Sequence, residues 1–184
     1  MTDNLLKLRR LLATMREHFV AGPGFSPEII EESRRVLSEL PDDGAILTEA
    51  VLLCPSAHPI RAQARAAVRE AGPVWDEALS PLVDLLPWRF TYAPRSDYPD
   101  LENKMAWAEI VGPAAPIHSD RVGFGLTVIS GGVFYPPHNH PATELYAVAS
   151  GVSEWTLEGR ALRFGHEEIC PKGVFEEGGI NGGD

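Results

Sequence analysis

One short segment of the chain concentrates residue types that bind metals and move protons. It reads Gly132-Val-Phe-Tyr-Pro-Pro-His138-Asn-His140-Pro-Ala-Thr-Glu144-Leu-Tyr146-Ala-Val-Ala-Ser-Gly151. Side chains alternate along a strand, so His138 and His140 share one face. Pro141-Ala142-Thr143 reads as a turn that returns Glu144 opposite them on the next antiparallel strand, and Tyr146 shares the face of Glu144. Two neutral imidazoles and a carboxylate converging in this way make a three-ligand site for a divalent metal with open positions. An isolated His-x-His is more often a surface or core pair. Here the carboxylate at the right offset, the bounding glycines and the surrounding strand pattern favour the metal.

The elements that must position these residues change character near residue 90. From the start to about Leu86 the periodicity is helical, with Leu5, Leu8, Leu12, Met15 and Phe19 forming one apolar stripe. Gly22-Pro23-Gly24 stops the first helix, and Ser26-Pro27-Glu28 supplies the N-cap, the first-position proline and the first-turn acid of a second. Further helices are expected over about 45–53, 59–71 and 74–86. After Pro87 the texture is that of strands, expected at Met105–Val111, Val122–Ile129, Glu144–Ser150, Ser153–Leu157 and Arg160–Phe164. The proline-rich stretch 94–99 reads as a linker or as the lip of a barrel. The fold class is therefore α+β, with a helical region over 1–92 and a β-sandwich or barrel over 93–184.

Sixteen basic and twenty-six acidic residues give a net charge of −10, which argues against nucleic acid and anionic membranes as partners. Residues 1–92 carry a net −3 and residues 93–184 a net −7, the last eighteen residues holding five acids and one lysine. No apolar run reaches the roughly 18 residues of a membrane span. Charged residues threaded through the N-terminal leucines do not fit a signal peptide. Two cysteines, Cys54 and Cys170, make no disulfide framework. The expectation is a cytoplasmic protein with reduced thiols.

The spacing Gly132-x5-His138-x-His140-x3-Glu144-x6-Gly151 matches the first cupin motif without a mismatch. Tyr135 before the first histidine, Pro141-Ala142 after the second, and Glu144-Leu145-Tyr146 resemble the cupin-type dimethylsulfoniopropionate lyases more narrowly. Trp107–Pro113, Ile117-His118-Ser119 and the preceding helical region are similar to theirs as well. The resemblance implies a double-stranded β-helix, or jelly-roll barrel, around a divalent transition metal such as zinc, iron(II) or manganese. It implies cleavage of a small zwitterionic carboxylate, dimethylsulfoniopropionate, into dimethyl sulfide and acrylate. On that likeness His138 or His140, with Glu144, holds the metal, Tyr146 is a further ligand that gives way to substrate, and Tyr135 is the base that takes the proton next to the carboxylate. His118 is a candidate for supporting the metal ligands from behind. Trp107, Phe134 and Trp155 are candidate rings for the sulfonium. The alternatives are another cupin metalloenzyme, an isomerase or dioxygenase, and a cupin that binds a ligand without turnover.

The second cupin motif departs from the pattern. Gly165, Pro171 and Gly173 stand in place, but Glu176 occupies the position of the ligand histidine and Asn181 falls one residue late. Three readings stay open. Glu176 is an oxygen ligand in place of histidine, His166 reaches inward instead, or the tail leaves the site one ligand short; the last is favoured. The last strands of the barrel look incomplete, because Gly178–Asp184 reads as unable to form them. A helical region beside a barrel also allows a homodimer.

Overall fold

A computed structural model of the 184-residue chain describes residues 3–21, 26–40, 57–136, 144–157, 160–164, 169–172 and 178–183. Helix α1 (Asp3–Ala21) turns Leu8, Leu11, Leu12 and Met15 inward, all nearly fully buried, as its stripe requires. Helix α2 (Pro27–Ser38) starts on Ser26, whose Oγ accepts from the backbone N–H of Ile29 at 3.3 Å. Such a cap stabilises a helix by about 1 kcal/mol. The expected helix over 45–53 lies outside the described residues. Helix α3 (Arg61–Glu70) follows, and α4 (Pro73–Leu79) stops seven residues short of its expected end. The reason is Pro81, which has no N–H to donate and clashes with the carbonyl four residues back. The chain continues as hydrogen-bonded turns to Leu86, with Leu82 and Val83 both donating to the Leu79 carbonyl. A one-turn helix, α5 (Leu101–Lys104), leads straight into the first strand.

Nine strands follow among the described residues: β1 (Met105–Gly112), β2 (Ile117–His118), β3 (Phe124–Ile129), β4 (Phe134–Tyr135), β5 (Glu144–Ala147), β6 (Val152–Leu157), β7 (Arg160–Phe164), β8 (Ile169–Lys172) and β9 (Gly178–Gly183). They form sheets of order β2-β1-β3, β4-β9-β6-β7 and β5-β8. No helix among the described residues is long and apolar enough to cross a membrane.

Strand β1 divides the interior. Ala106, Ala108 and Ile110 belong to a core shared with Leu8, Leu11, Ile60, Leu82 and Leu86 of the helices and turns. Met105 belongs instead to a second cluster with Leu101, Tyr135 and Trp155, against which Phe90, Tyr98, Trp107 and Tyr146 pack. A register shift between Glu109 and Val111 breaks the alternation, so Val111 joins Ile110 on the helical side.

The glycine-rich end corrects the expectation that Gly178–Asp184 cannot form a strand. Strand β9 lies between two neighbours, antiparallel to β4 and to β6. Glycine in a strand costs only about 0.5–1 kcal/mol of backbone entropy relative to alanine, and a strand paired at both edges gains ladder hydrogen bonds on each side. In register, Ile180 stands opposite Tyr135 on one side and opposite Trp155 on the other. Tyr135 and Trp155 are thus on one row of the sheet and point to the same face.

Candidate active site

Two glycines set the ends of the motif-bearing segment. Gly132 has φ 69° and Gly151 has φ 74°, left-handed values that a side chain rarely tolerates. The first sits in a turn closed by Val133 N–H donating to the Ser130 carbonyl at 3.3 Å, and β4 begins directly after it. Strand β4 ends at Tyr135 because Pro136 and Pro137 follow. The parity rule therefore does not carry across to His138, and Tyr135 is free to face the cluster even though its spacing is odd.

Tyr135 is buried, and its hydroxyl is hydrogen-bonded to that of Tyr92. Burial above all, then the bond to Tyr92 and the nearness of Tyr92, Tyr146 and Glu144, push the Tyr135 phenol far above the ordinary tyrosine range. A cation nearby would act in the opposite sense. On β5, Tyr146 donates its hydroxyl proton to Glu144 Oε2 at 2.9 Å, so the two side chains share a face as alternation requires. The Tyr146 ring packs on the Trp155 indole with centroids 4.8 Å apart. Trp155 is 4% exposed, and its Nε1–H has no hydrogen-bond partner among the described residues.

Tyr135 also lines a cleft that opens to solvent. Its other walls come from the segment before the barrel strands: Phe90, Tyr92, Arg95, Tyr98 and Glu102. Arg89 anchors this segment through paired backbone hydrogen bonds to Trp107, at 2.9 and 3.0 Å. Arg95 makes a two-point ion pair with Asp97, at 3.0 and 2.6 Å, and lies 4.9 Å over the Tyr98 ring. The stretch 94–99 is thus the lip of a cleft.

Of the residues singled out in the sequence, Tyr135, Glu144 and Tyr146 come together. His138, His140, Glu176 and His166 lie outside the described residues. His118 is half-exposed on β2, its ring nitrogens 3.3 Å from the Pro113 carbonyl and from Asp120, with neither partner in the aromatic cluster. Of the candidate rings, Trp107 packs on Phe90 and Tyr92, Phe134 on Tyr98, and Trp155 on Tyr146. Tyr92, Phe90 and Tyr98 were missed. A signal for them exists: the chain has four tyrosines, and Tyr92, Tyr98, Tyr135 and Tyr146 all gather here.

The Glu144 carboxylate and Tyr146 hydroxyl are two adjoining oxygen donors, a pair that suits a divalent cation. No group of three His, Cys, Asp or Glu stands together among the described residues. The other donors expected of such a site fall in 137–143.

Residues 56–173 match a family model described as dimethylsulfoniopropionate (DMSP) lyase. A curated relative, the DMSP lyase DddQ of Ruegeria pomeroyi, is 32% identical over 76 residues, an alignment covering 41% of this chain and 38% of that protein. The chain thus spans well under half the length of the curated relative it matches. A solved structure described with the DMSP lyases RdDddP and RnDddQII superposes with a TM-score of 0.70 at 21% identity, over 97% of this chain and 87% of that one. The crystal structure of DddQ from Ruegeria pomeroyi superposes at 0.69 and 20% identity, over 100% of this chain and 87% of the other. At these identities the likeness is one of fold.

Proposed function

From the premise that the chain belongs to the DMSP lyase family, its family model matching well over half of the residues, we propose that it cleaves dimethylsulfoniopropionate into dimethyl sulfide and acrylate. The observation that carries this reading is the convergence of Tyr135, Tyr92, Tyr146 and Glu144 around one buried cluster beside a cleft. The nine strands support reading residues 93–184 as a cupin barrel, with the helical region of 1–92 packed against it through β1.

The reaction is a β-elimination. A base takes the proton from the carbon next to the carboxylate, that C–H pair becomes the new double bond, and the carbon–sulfur pair leaves with neutral dimethyl sulfide. In this reading Tyr135 is the base. A phenol held so strongly in its neutral form is a strong base once ionised. Tyr92 holds the Tyr135 hydroxyl in place through their hydrogen bond. His138, His140 and Glu144, with Tyr146 yielding to substrate, would hold a divalent transition metal of the zinc, iron or manganese kind. When bound, the metal supplies a positive charge beside the substrate carboxylate and favours the ionised phenol. Tyr146, bonded to Glu144, orients the Glu144 carboxylate.

The test is release of dimethyl sulfide. Purified protein supplied in turn with zinc, iron(II), manganese and cobalt should release dimethyl sulfide and acrylate in equal amounts from DMSP with at least one of them. No release with any of the four would end the lyase reading.

A further inference from the structure

The chain has four tryptophans, and two deeply buried ones make opposite use of the same indole N–H. Trp88, 2% exposed, donates to the Val83 carbonyl at 2.7 Å and belongs to the helical core. Trp155, 4% exposed, belongs to the cluster with Tyr135, Met105 and Leu101, and its donor has no acceptor among the described residues. A buried donor without a partner is costly, and folded proteins rarely leave one unless something outside the protein completes it.

The surroundings say what that something is. Trp155 shares a sheet row with Tyr135, both opposite Ile180, so their Cα atoms stand two strand spacings, about 10 Å, apart on one face. Its ring rests on Tyr146, whose hydroxyl reaches Glu144. A group seated between these side chains would meet hydroxyls that already have partners and one N–H that has none. The complement of a lone N–H in a poorly hydrated place is an anionic oxygen, because a charge-assisted hydrogen bond is the strong kind.

We propose that Trp155 is a substrate-binding residue whose Nε1–H donates to a carboxylate oxygen of the bound substrate. The inference rests on the lyase reading for the identity of that carboxylate. It also adds to the chemistry: negative charge grows on the carboxylate as the neighbouring proton leaves, so a fixed donor there strengthens its bond as the reaction proceeds. The remaining valence of the carboxylate is left to the metal side of the site.

The test uses the intact, metal-loaded protein and a carboxylate that cannot react, 3-(trimethylammonio)propionate. The Trp155 indole ¹H–¹⁵N resonance, identified by its disappearance in Trp155→Phe, should move downfield as ligand is added. The phenylalanine variant keeps a ring against Tyr146 and should bind the ligand about tenfold more weakly. Its melting temperature should stay close to the parent's, because removal of the unmet donor offsets the lost packing. A merely structural tryptophan would give the reverse, a lower melting temperature and unchanged affinity. An unmoved resonance at saturating ligand, or failure to bind any carboxylate, overturns the proposal. The two readings fail separately. Dimethyl sulfide release with a silent Trp155 removes only this inference, whereas a shifted Trp155 without release removes only the lyase.

Discussion

The two faces of β1 border two different kinds of interior. On one face Ala106, Ala108 and Ile110 are fully buried against leucines of the helices and turns, an assembly that only packing explains. On the other, Met105 and Trp107 meet a cluster carrying tyrosine hydroxyls, a carboxylate and an indole N–H. Burying polar groups is unfavourable unless each is met by a partner. The helical side therefore reads as the part that makes the fold stable, and the other as the part where stability is given up for chemistry. The comparison teaches where substitutions should separate activity from stability.

The largest separation is expected at Tyr135. Tyr135→Phe removes the proposed base and should lower dimethyl sulfide release by about 10²–10⁴-fold. Metal content and melting temperature should stay near those of the parent, since Tyr92 is exposed enough to turn its hydroxyl to water. A variant that keeps its rate would dismiss Tyr135 as base. The opposite signature belongs to Ile110→Ala on the helical face. Deleting a fully buried isoleucine side chain should cost about 2–5 kcal/mol of unfolding free energy in urea. The rate per folded molecule at 20 °C should be unchanged. A collapse of rate well below the unfolding transition would mean that the two faces are not independent.

That division was only half visible in the sequence. The stripe of α1, the Ser26-Pro27 start of α2 and the principal strands were readable because amphipathic period, cap and β-branched runs are local signals. Glu144 and Tyr146 were readable together because alternation puts i and i+2 on one face. Short strands were not. Ile117–His118, Phe134–Tyr135 and Ile169–Lys172 are too brief for a period, and Gly178–Gly183 owes its strand to neighbours on both sides. The aromatic lip was missed for a related reason. Phe90, Tyr92 and Tyr98 lie in a proline-rich stretch without periodicity, and only the fold brings them to Tyr135.

Tyr92 gives a smaller, finer test of the same division. Tyr92→Phe keeps the ring against Trp107 and removes the hydroxyl that holds Tyr135. The rate should fall about tenfold, the size of one lost hydrogen bond to a reacting group. The pH profile should also move. The bond to Tyr92 is among the causes that hold Tyr135 in its neutral form, so its loss should bring the alkaline rise of kcat/KM to lower pH. A rise displaced to higher pH would mean instead that Tyr92 donates to an ionised Tyr135 and stabilises it.

The smallest effect is expected on the helical side, where charges rather than packing are involved. Asp84 in the turns after α4 accepts from Arg61 at 3.0 Å and from Arg65 at 2.9 Å, tying those turns to α3. Arg65 first, and Arg61 after it, hold the Asp84 carboxyl below the usual carboxylate range. A depressed carboxyl contributes stability above its unfolded pKa of about 3.9 and loses it as pH falls through the lower folded value. The side chain is 43% exposed, so solvent screening keeps the contribution below about 1 kcal/mol. Asp84→Asn should therefore lower the urea midpoint slightly at pH 7, and the difference from the parent should shrink as the pH falls from the unfolded value through the lower folded one. Dimethyl sulfide release at pH 7 should not change, because Asp84 and the two arginines tie together elements of the helical side. If release falls with the midpoint, the helical side reaches the chemistry through α3 and the turns, and β1 is a conduit between the two interiors instead of a partition.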